Sequence, residues 1–568
     1  MHPTVRTART RRHPARWAVA ALAIALVSVA CDAGNAQPPV NGATARASGQ
    51  PGTGGAVVGA TSPGASRAPA PTASAGTAGG TNAATKPSAT ASPAAGTATS
   101  TGPTPLAVVT GFDNYKLNAI TTATLVARLK AKTALVPCGA EAAIAAVLKT
   151  TTSGWAACVA PARMTASLPR TSTKVGLLPP GLVGPGVKAV PLNGADLFGE
   201  GPERSKTYPL VIASPGWSSA WTVYTASDIR VVLSTGVNCA DRGVSRQTNT
   251  FKRGWPWLLN AGTARYTGTH WDGRLGWYVV DAVRTGNLGA IKKLTLNADI
   301  AVSDFECAMS SRFVQHDNGT VFTVDPKVAT LMKEGGFDVA TIGSDHMTNA
   351  GFSGLLDTVR YFDQAGIKHV GAGANLAAAL KPAVITVRGL TFAFYALNGA
   401  GGSAPAGPSS PGTASLTPAN IRTATTAARK VADVVIALPQ WSTSEYRAAF
   451  LSQQLAWRDA MFAAGTDHII GADFHWAGAI SITPGGVSGN HLAVSSQGNF
   501  WFGQDWSRQT QEGYMTMMTF AGTRLVQVRL IPTVVLDNAQ PNLTNPATDG
   551  QFVLRQALGP SNIKPRTP

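Results

Sequence analysis

The sequence predicts an α/β protein, and three observations carry that expectation. From Ile229 onward, short runs rich in Val, Ile and Ala alternate with longer amphipathic stretches. Two of those stretches put their apolar residues on one helical face and stop at a glycine. Four of the short runs end on polar residues: Asn238 with Asp241 and Arg242, Asp304 with Glu306, Asp345 with His346, and Asp473 with His475. In an α/β fold the carboxyl ends of neighbouring strands share one edge, so groups far apart in sequence converge there.

The strands expected from these runs are IRVVLSTG, ADIAVSDFE, VATIG, KHVGAG, TFAFYALN, ADVVIALP, DHIIGAD, HLAVSSQGN and RLVQVRLIP. FSGLLDTVRYFDQAG aligns Leu355, Leu356, Val359 and Phe362 and stops at Gly366. YRAAFLSQQLAWRDAMFAAG aligns Leu451, Leu455 and Phe462 and stops at Gly465. Asn398 to Pro418 is rich in Gly, Pro and Ser and reads as a loop. The Pro- and Asn-rich stretch after Pro532 is expected to wrap the surface.

At 568 residues the chain is too long for one ordinary domain. MHPTVRTARTRRHPAR is basic with no acid, and the apolar run Trp17 to Ala30 and then Cys31 follow it, the layout of an export signal over residues 1–31. That run is shorter than the ~20 residues that span a bilayer. LVSVAC resembles a bacterial lipoprotein box, which would make Cys31 the lipidated residue, although Ser28 stands where Leu is usual. Cleavage after Ala30 by the ordinary route is the alternative. Residues 32–105 are almost entirely Ala, Gly, Ser, Thr and Pro, too poor in apolar side chains to offset the entropy of ordering, and read as a flexible linker. The net charge of +18 includes five Arg in the signal segment, and no basic run interleaved with aromatics follows, so nucleic acid is excluded as a partner. The charge suits an anionic polymer of the cell envelope. Besides Cys31 there are Cys138, Cys158, Cys239 and Cys307. An even number in an oxidising compartment favours two disulfides, with Cys138 and Cys158 the natural local pair.

Residues 106–227 alternate short strands with helical stretches such as TATLVARLKAKTALVPCGAEAAIAAVL, and later carry GLLP and YPL. That order resembles a lobe of the phosphate-type periplasmic substrate-binding proteins, so a smaller α/β binding-protein-like domain is expected ahead of the larger one.

Within residues 228–535, the series STGVNCADRGV, AVSDFECAMS, GFDVATIGSDHMTNAGFSGLLDTVRYFDQAGIKHVGAGANL, VVIALPQWSTSEY, IIGADFHW and QGNFWFGQ resembles the CapA, or poly-γ-glutamate capsule synthesis, family. The resemblance reaches toward Pro560, which makes residues 536–568 a C-terminal extension and tail. It implies a calcineurin-like metallophosphoesterase fold, a four-layer sandwich of two mixed sheets with helices outside and a metal site at the strand ends. It also implies a surface or periplasmic protein linked to capsular polyglutamate.

Several family ligands are replaced. Val237 stands where the first metal carboxylate would be, Gln440 where an imidazole would be, and Ala472 where another His would be. Asp241 and Arg242 persist, as does Glu306, while Asp304 replaces an amide. Asp345 takes the place of a bridging Asn beside His346, and His475 and Asn499 remain. Two readings follow. In one, Glu306, Asp345, Asp473 and His475 hold a single divalent ion, Mn, Fe or Zn, with His346, Asp241 and Arg242 catalytic, in a hydrolase or transferase of an envelope polymer. In the other, which the Val237 replacement favours, the cleft binds polymer without catalysis, through Asp304, Gln440, Trp441 and Asn499. The same resemblance places Cys239 and Cys307 beyond two motifs whose strands end side by side, and so implies that they pair. Two separate buried thiols are the alternative.

Overall fold

The computed structural model describes residues 98–566 apart from Ser205 and residues 442–445. The signal segment, Cys31 and residues 32–97 of the expected linker lie outside the described residues. The end of that linker is ordered: Thr99–Ser100 pairs with Trp217–Ser218, and Pro103–Pro105 pairs with Val211–Ala213.

Two large mixed sheets face each other. The first runs in the order Trp277–Gly286, Thr263–Asp272, Gln540–Thr544, Arg524–Leu536, Glu512–Ala521, Ile229–Asn238, Ile300–Phe305, Val339–Thr341 and Lys368–Val370, with Asn499–Trp501 added beside the end of Ile229–Asn238. The second runs Ala383–Val387, Leu390–Tyr395, Val434–Ala437, His468–Ile470, Asn490–Val494, Ile480–Pro484 and Asn562–Ile563. The strands Ile229–Asn238, Ile300–Phe305, Val339–Thr341 and Lys368–Val370 are mutually parallel, as are Leu390–Tyr395, Val434–Ala437, His468–Ile470 and Asn490–Val494. Their carboxyl ends therefore form one edge in each sheet.

The two-residue period of the strands explains the layers. Val232, Ile300, Val302 and Val339 point inward and meet Phe392, Phe394, Val434, Ile436 and Ile470 of the facing sheet. Val231, Leu233 and Ala301 point the other way, onto Leu331, Met332, Leu355 and Phe362 of the helices Lys327–Glu334 and Gly351–Ala365. On the far side, Ala393, Val435 and Ile469 pack against the helices Pro418–Arg429 and Ser452–Ala464. Helix, sheet, sheet, helix is the four-layer α/β arrangement expected. Gly366 and Gly465 stop their helices with φ of 70° and 106°, left-handed backbone that costs glycine nothing.

Four details differ from expectation. Leu356 is 37% exposed, because the helix core face is narrower than four residues. The second helix begins at Ser452 rather than Tyr446. The chain after Pro532 does not wrap the surface: Arg524–Leu536 continues through that proline, and helix Gln551–Leu558 inserts Val553, Leu554, Ala557 and Leu558 into the core between the sheets. Finally, residues 106–227 build a four-stranded sheet, Ala134–Leu135, Val175–Leu178, Ala107–Gly111 and Val187–Ala189, which does not stand apart from the larger body. Its Val109, Leu178 and Val187 pack with Val526, Gln527 Oε1 accepts from Ala189 N at 2.9 Å, and Arg529 pairs with the buried Asp196.

Both disulfides are present. Cys138–Cys158 has its Cα atoms 4.8 Å apart, and Cys239–Cys307, with 5.2 Å, ties the ends of Ile229–Asn238 and Ile300–Phe305.

Candidate functional site

The strand ends gather most of the residues singled out from the sequence, in an arrangement that differs from a metal cage. Gln440 follows strand Val434–Ala437 and is 3% exposed. Its Nε2 donates to Glu306 Oε1 and to Asp345 Oδ1, each at 2.9 Å, while its Oε1 accepts from Asp345 N at 2.6 Å. One neutral amide group thus sits between two carboxylates that a cation would otherwise bridge. Ser344 Oγ reinforces the corner by donating to Glu306 O at 2.8 Å.

His346 is oriented from behind. Asn349 Oδ1 accepts from Phe322 N at 2.9 Å, so it is an acceptor toward His346 Nδ1 at 3.0 Å as well. Nδ1 therefore carries a proton, and the second nitrogen, Nε2, faces Asp345 Oδ2 at 3.3 Å. The i, i+3 spacing of His346 and Asn349 is the sequence signal for this pair. The Phe322 ring meets the imidazole edge-on with centroids 4.6 Å apart.

His475 is held similarly. Asn499 Nδ2 donates to Gln504 Oε1 and Thr510 O, both at 3.0 Å, leaving Asn499 Oδ1 to accept from His475 Nδ1 at 2.8 Å. Asp473 and His475 both have left-handed backbone, φ of 100° and 52°, so the segment between them is strained to present its side chains. Strain in non-glycine residues next to strand ends is a mark of a functional cleft.

Asp304 lines a narrow recess between the two sheets with Val237, Thr341, Leu438, Gly471 and Ala472. Its Oδ2 is buried without a hydrogen bond, and burial, followed by the charge of Asp345, raises its carboxyl from 3.8 to about 7. An acid raised in this way holds more protons folded than unfolded, so its contribution makes stability fall between pH ~4 and ~7 and level off above. Asp304→Asn is expected to flatten that slope, raising the melting temperature at pH 8 and leaving it unchanged at pH 4. Thermal melts across this range check it, and parallel profiles for the two proteins would refute the assignment.

Other expected site residues lie elsewhere. Asp241 is fully buried and acts as a loop clasp: Oδ1 accepts from Arg242 N and His316 N at 2.8 Å, and Oδ2 accepts from Thr323 N at 3.0 Å and meets His316 Nδ1 at 2.7 Å. Arg242 points away from the recess, its guanidinium over the rings of Phe322, Phe502 and Trp506 at 4.7, 5.4 and 5.4 Å. Trp441 is 1% exposed, and its Nε1 donates to Ser495 O at 2.9 Å, so it is core and not cleft. Gln440 and Asn499 spend their amides on protein partners rather than presenting them to a polymer.

The donor set does not fit the metal centre that the family resemblance implied. Val237 and Ala472 offer no ligand atom, and Gln440 holds Glu306 and Asp345 through N–H donors where a cation needs lone pairs. Among the described residues, no three ligand atoms from Glu306, Asp345, Asp473 and His475 lie within 4.8 Å of one another. The group that does, Cys138, Glu141 and Cys158, contains a disulfide and so lacks thiolates.

Comparison with known proteins places these residues in a family. Residues 270–504 match the family described as "Bacterial capsule synthesis protein PGA_cap". The chain is 26% identical over 269 residues to the "Capsule biosynthesis protein CapA" of Bacillus anthracis, covering 46% of this chain and 64% of that protein. It is 28% identical over 217 residues to the "PGA biosynthesis protein CapA" of Bacillus subtilis (strain 168), covering 37% and 55%. The chain thus spans less than two thirds of the length of either relative. Among solved structures, a hypothetical protein from Thermus thermophilus aligns at 11% identity and TM-score 0.30, over 53% of this chain and 98% of that one. A 5'-nucleotidase precursor from the same organism aligns at 13% identity and TM-score 0.31, over 58% of each. The matched residues 270–504 include Glu306, Asp345, His346, Gln440 and His475, and over that span the chain is similar to the PGA_cap family of bacterial capsule synthesis proteins.

Proposed function

We propose that this protein serves capsule or poly-γ-glutamate-type polymer synthesis or anchoring as a binding member of the family, with the strand-end cleft working without metal. It is exported and held at the outer face of the cytoplasmic membrane or in the cell wall through a lipid on Cys31. No helix among the described residues is long and apolar enough to cross a membrane. The observation that carries the reading is the Gln440 amide set between Glu306 and Asp345. It neutralises by hydrogen bonding what a divalent ion would neutralise by charge.

The Asn349-oriented imidazole of His346 favours a second reading, a hydrolase or transferase of an envelope polymer, because its Nε2, a nitrogen that can take up or give a proton, is held at a fixed place beside Asp345. Elemental analysis together with assay of phosphodiester and polyglutamate cleavage separates the two. Purified protein incubated with Mn²⁺, Fe²⁺ or Zn²⁺ is expected to retain no stoichiometric ion and to cleave neither substrate. One ion per chain that is lost in the Asp345→Ala/Asp473→Ala variant, together with turnover, would establish the enzyme instead.

A further inference from the structure

The hairpin formed by Thr263–Asp272 and Trp277–Gly286 projects from the edge of the first sheet and overhangs a groove of about 750 Å³. That volume lies within the ~300–1,000 Å³ usual for ligand clefts. The groove is separate from the strand-end recess: the rings of Phe322 and Phe502 touch His346 and His475 on one side and the Arg242 guanidinium on the other.

The groove is rich in charge yet electrically balanced. Three arginines, Arg242, Arg246 and Arg274, are matched by three aspartates, Asp272, Asp317 and Asp505. Arg246 pairs with Asp317 at 2.7 Å, and Arg274 grips Asp272 with Nη2 at 2.6 Å and Nε at 3.1 Å. His270, also in the wall, faces Asp281 at 2.9 Å. A polyanion entering here would meet Arg246 and Arg274 already paired and an exposed Asp505 carboxylate. Arginine–carboxylate pairs do, however, offer fixed donors and acceptors side by side, the complement of adjacent hydroxyl groups.

Aromatic rings complete the chemistry. Trp506 is half-buried in the wall. Trp277 is the cross-strand partner of Asp272, so it emerges on the same face of the hairpin, and it is 43% exposed. An exposed tryptophan gives a flat apolar face on which the C–H face of a sugar ring stacks. Trp271 and Tyr278 pair with each other on the opposite face and stiffen the hairpin.

We propose that this groove is a binding site for a neutral, hydroxyl-rich glycan chain. The site is independent of the strand-end cleft and gives the protein a hold on wall or capsule polysaccharide while the cleft engages another polymer.

The test uses the purified full-length chain, tryptophan fluorescence and calorimetry, with cellohexaose and chitohexaose as neutral glycans and poly-γ-glutamate as the anionic probe. At least one neutral hexamer is expected to bind saturably, with an affinity unaffected by high salt. Trp277→Ala and Arg274→Ala are each expected to weaken it about tenfold. Both side chains are exposed, so the variants retain the fold, which circular dichroism verifies. Failure of both hexamers to bind overturns the proposal. So does poly-γ-glutamate binding that is salt-sensitive and lost in Arg274→Ala, since the groove would then be a polyanion site. The Gln440 and Asp345 variants, which alter the strand-end cleft, are expected to leave hexamer binding unchanged, so failure of the metal-free reading does not touch this one.

Discussion

Replacing Gln440 by Glu is expected to destabilise the protein by about 2–4 kcal/mol at pH 8 and to make that loss reversible by a divalent cation. In the native site the Gln440 amide donates to Glu306 Oε1 and Asp345 Oδ1, and its Oε1 accepts from Asp345 N. Glu preserves the acceptor and removes both donors, so three carboxylates confront one another around a position that is itself 3% exposed. Like charges in such a place cannot all ionise, and the set takes up a proton. The folded-state pKa of the set rises above its unfolded value, so stability is retained in acid and lost as pH rises through the folded value. Melts of Gln440→Glu are therefore expected to approach those of the native chain at pH 5 and to fall below them at pH 8. Addition of Mn²⁺ or Ca²⁺ at pH 8 should restore the variant and leave the native protein unaffected. A variant as stable as the native chain at pH 8 without cation would show that the Gln440 amide does not do a cation's work.

That residue marks where sequence reasoning stops. The location of the cleft is legible because β-branched runs break off on Asp304, Asp345 and Asp473, and strand ends collect at one edge. What replaces the lost ligand is not legible. From sequence, Gln440 is an imidazole missing and an amide available to a polymer. Only the meeting of three separate strand ends shows both of its polar ends already engaged. Asp241 and Trp441 mislead for a related reason: a polar or aromatic residue next to a site motif can equally be holding a loop, as Asp241 holds His316 and Thr323, or filling the core behind the site, as Trp441 does.

The fold is legible where at least one face of an element is buried along its length and obscure elsewhere. Ile229–Asn238 and Ile300–Phe305 show apolar runs because both faces are covered. The hairpin TARYTGTHWD/WYVVDAVRTG carries no such pattern, because its outer half is exposed on both faces and its side chains answer to solvent and a groove instead of a core. Glu512–Ala521 escapes the pattern because its alternating Thr and Met do not resemble the Val- and Ile-rich strands beside it, although every residue but the last is buried. Proline at position 532 suggests an end to regular structure, yet strand Arg524–Leu536 continues through it.

Removing the Cys239–Cys307 disulfide as Cys239→Ala/Cys307→Ala is expected to cost about 4 kcal/mol, more than removing Cys138–Cys158. The two bridges close loops of different size, with sequence separations of 68 and 20 residues. Loop-closure entropy in the unfolded chain then gives ~4 kcal/mol for the first and ~3 kcal/mol for the second. Cys239 and Cys307 are both fully buried, so the native protein is expected to yield no free thiol at these positions to alkylating reagents until it is denatured and reduced. The functional consequence distinguishes the pair further. The bridge joins the residue after Asn238 to the residue after Glu306, and Glu306 is one of the two acids that Gln440 holds. The covalent link and the Gln440 amide both act on the spacing of these strand ends. Loss of the bridge is therefore expected to speed amide hydrogen exchange at Glu306, whose N–H donates to Asn238 O at 3.0 Å, whereas loss of Cys138–Cys158 should leave that exchange unchanged. Denaturant titrations measure the stability difference and exchange mass spectrometry the local one. Equal exchange at Glu306 in the two variants would mean that the strand ends hold their places without the staple.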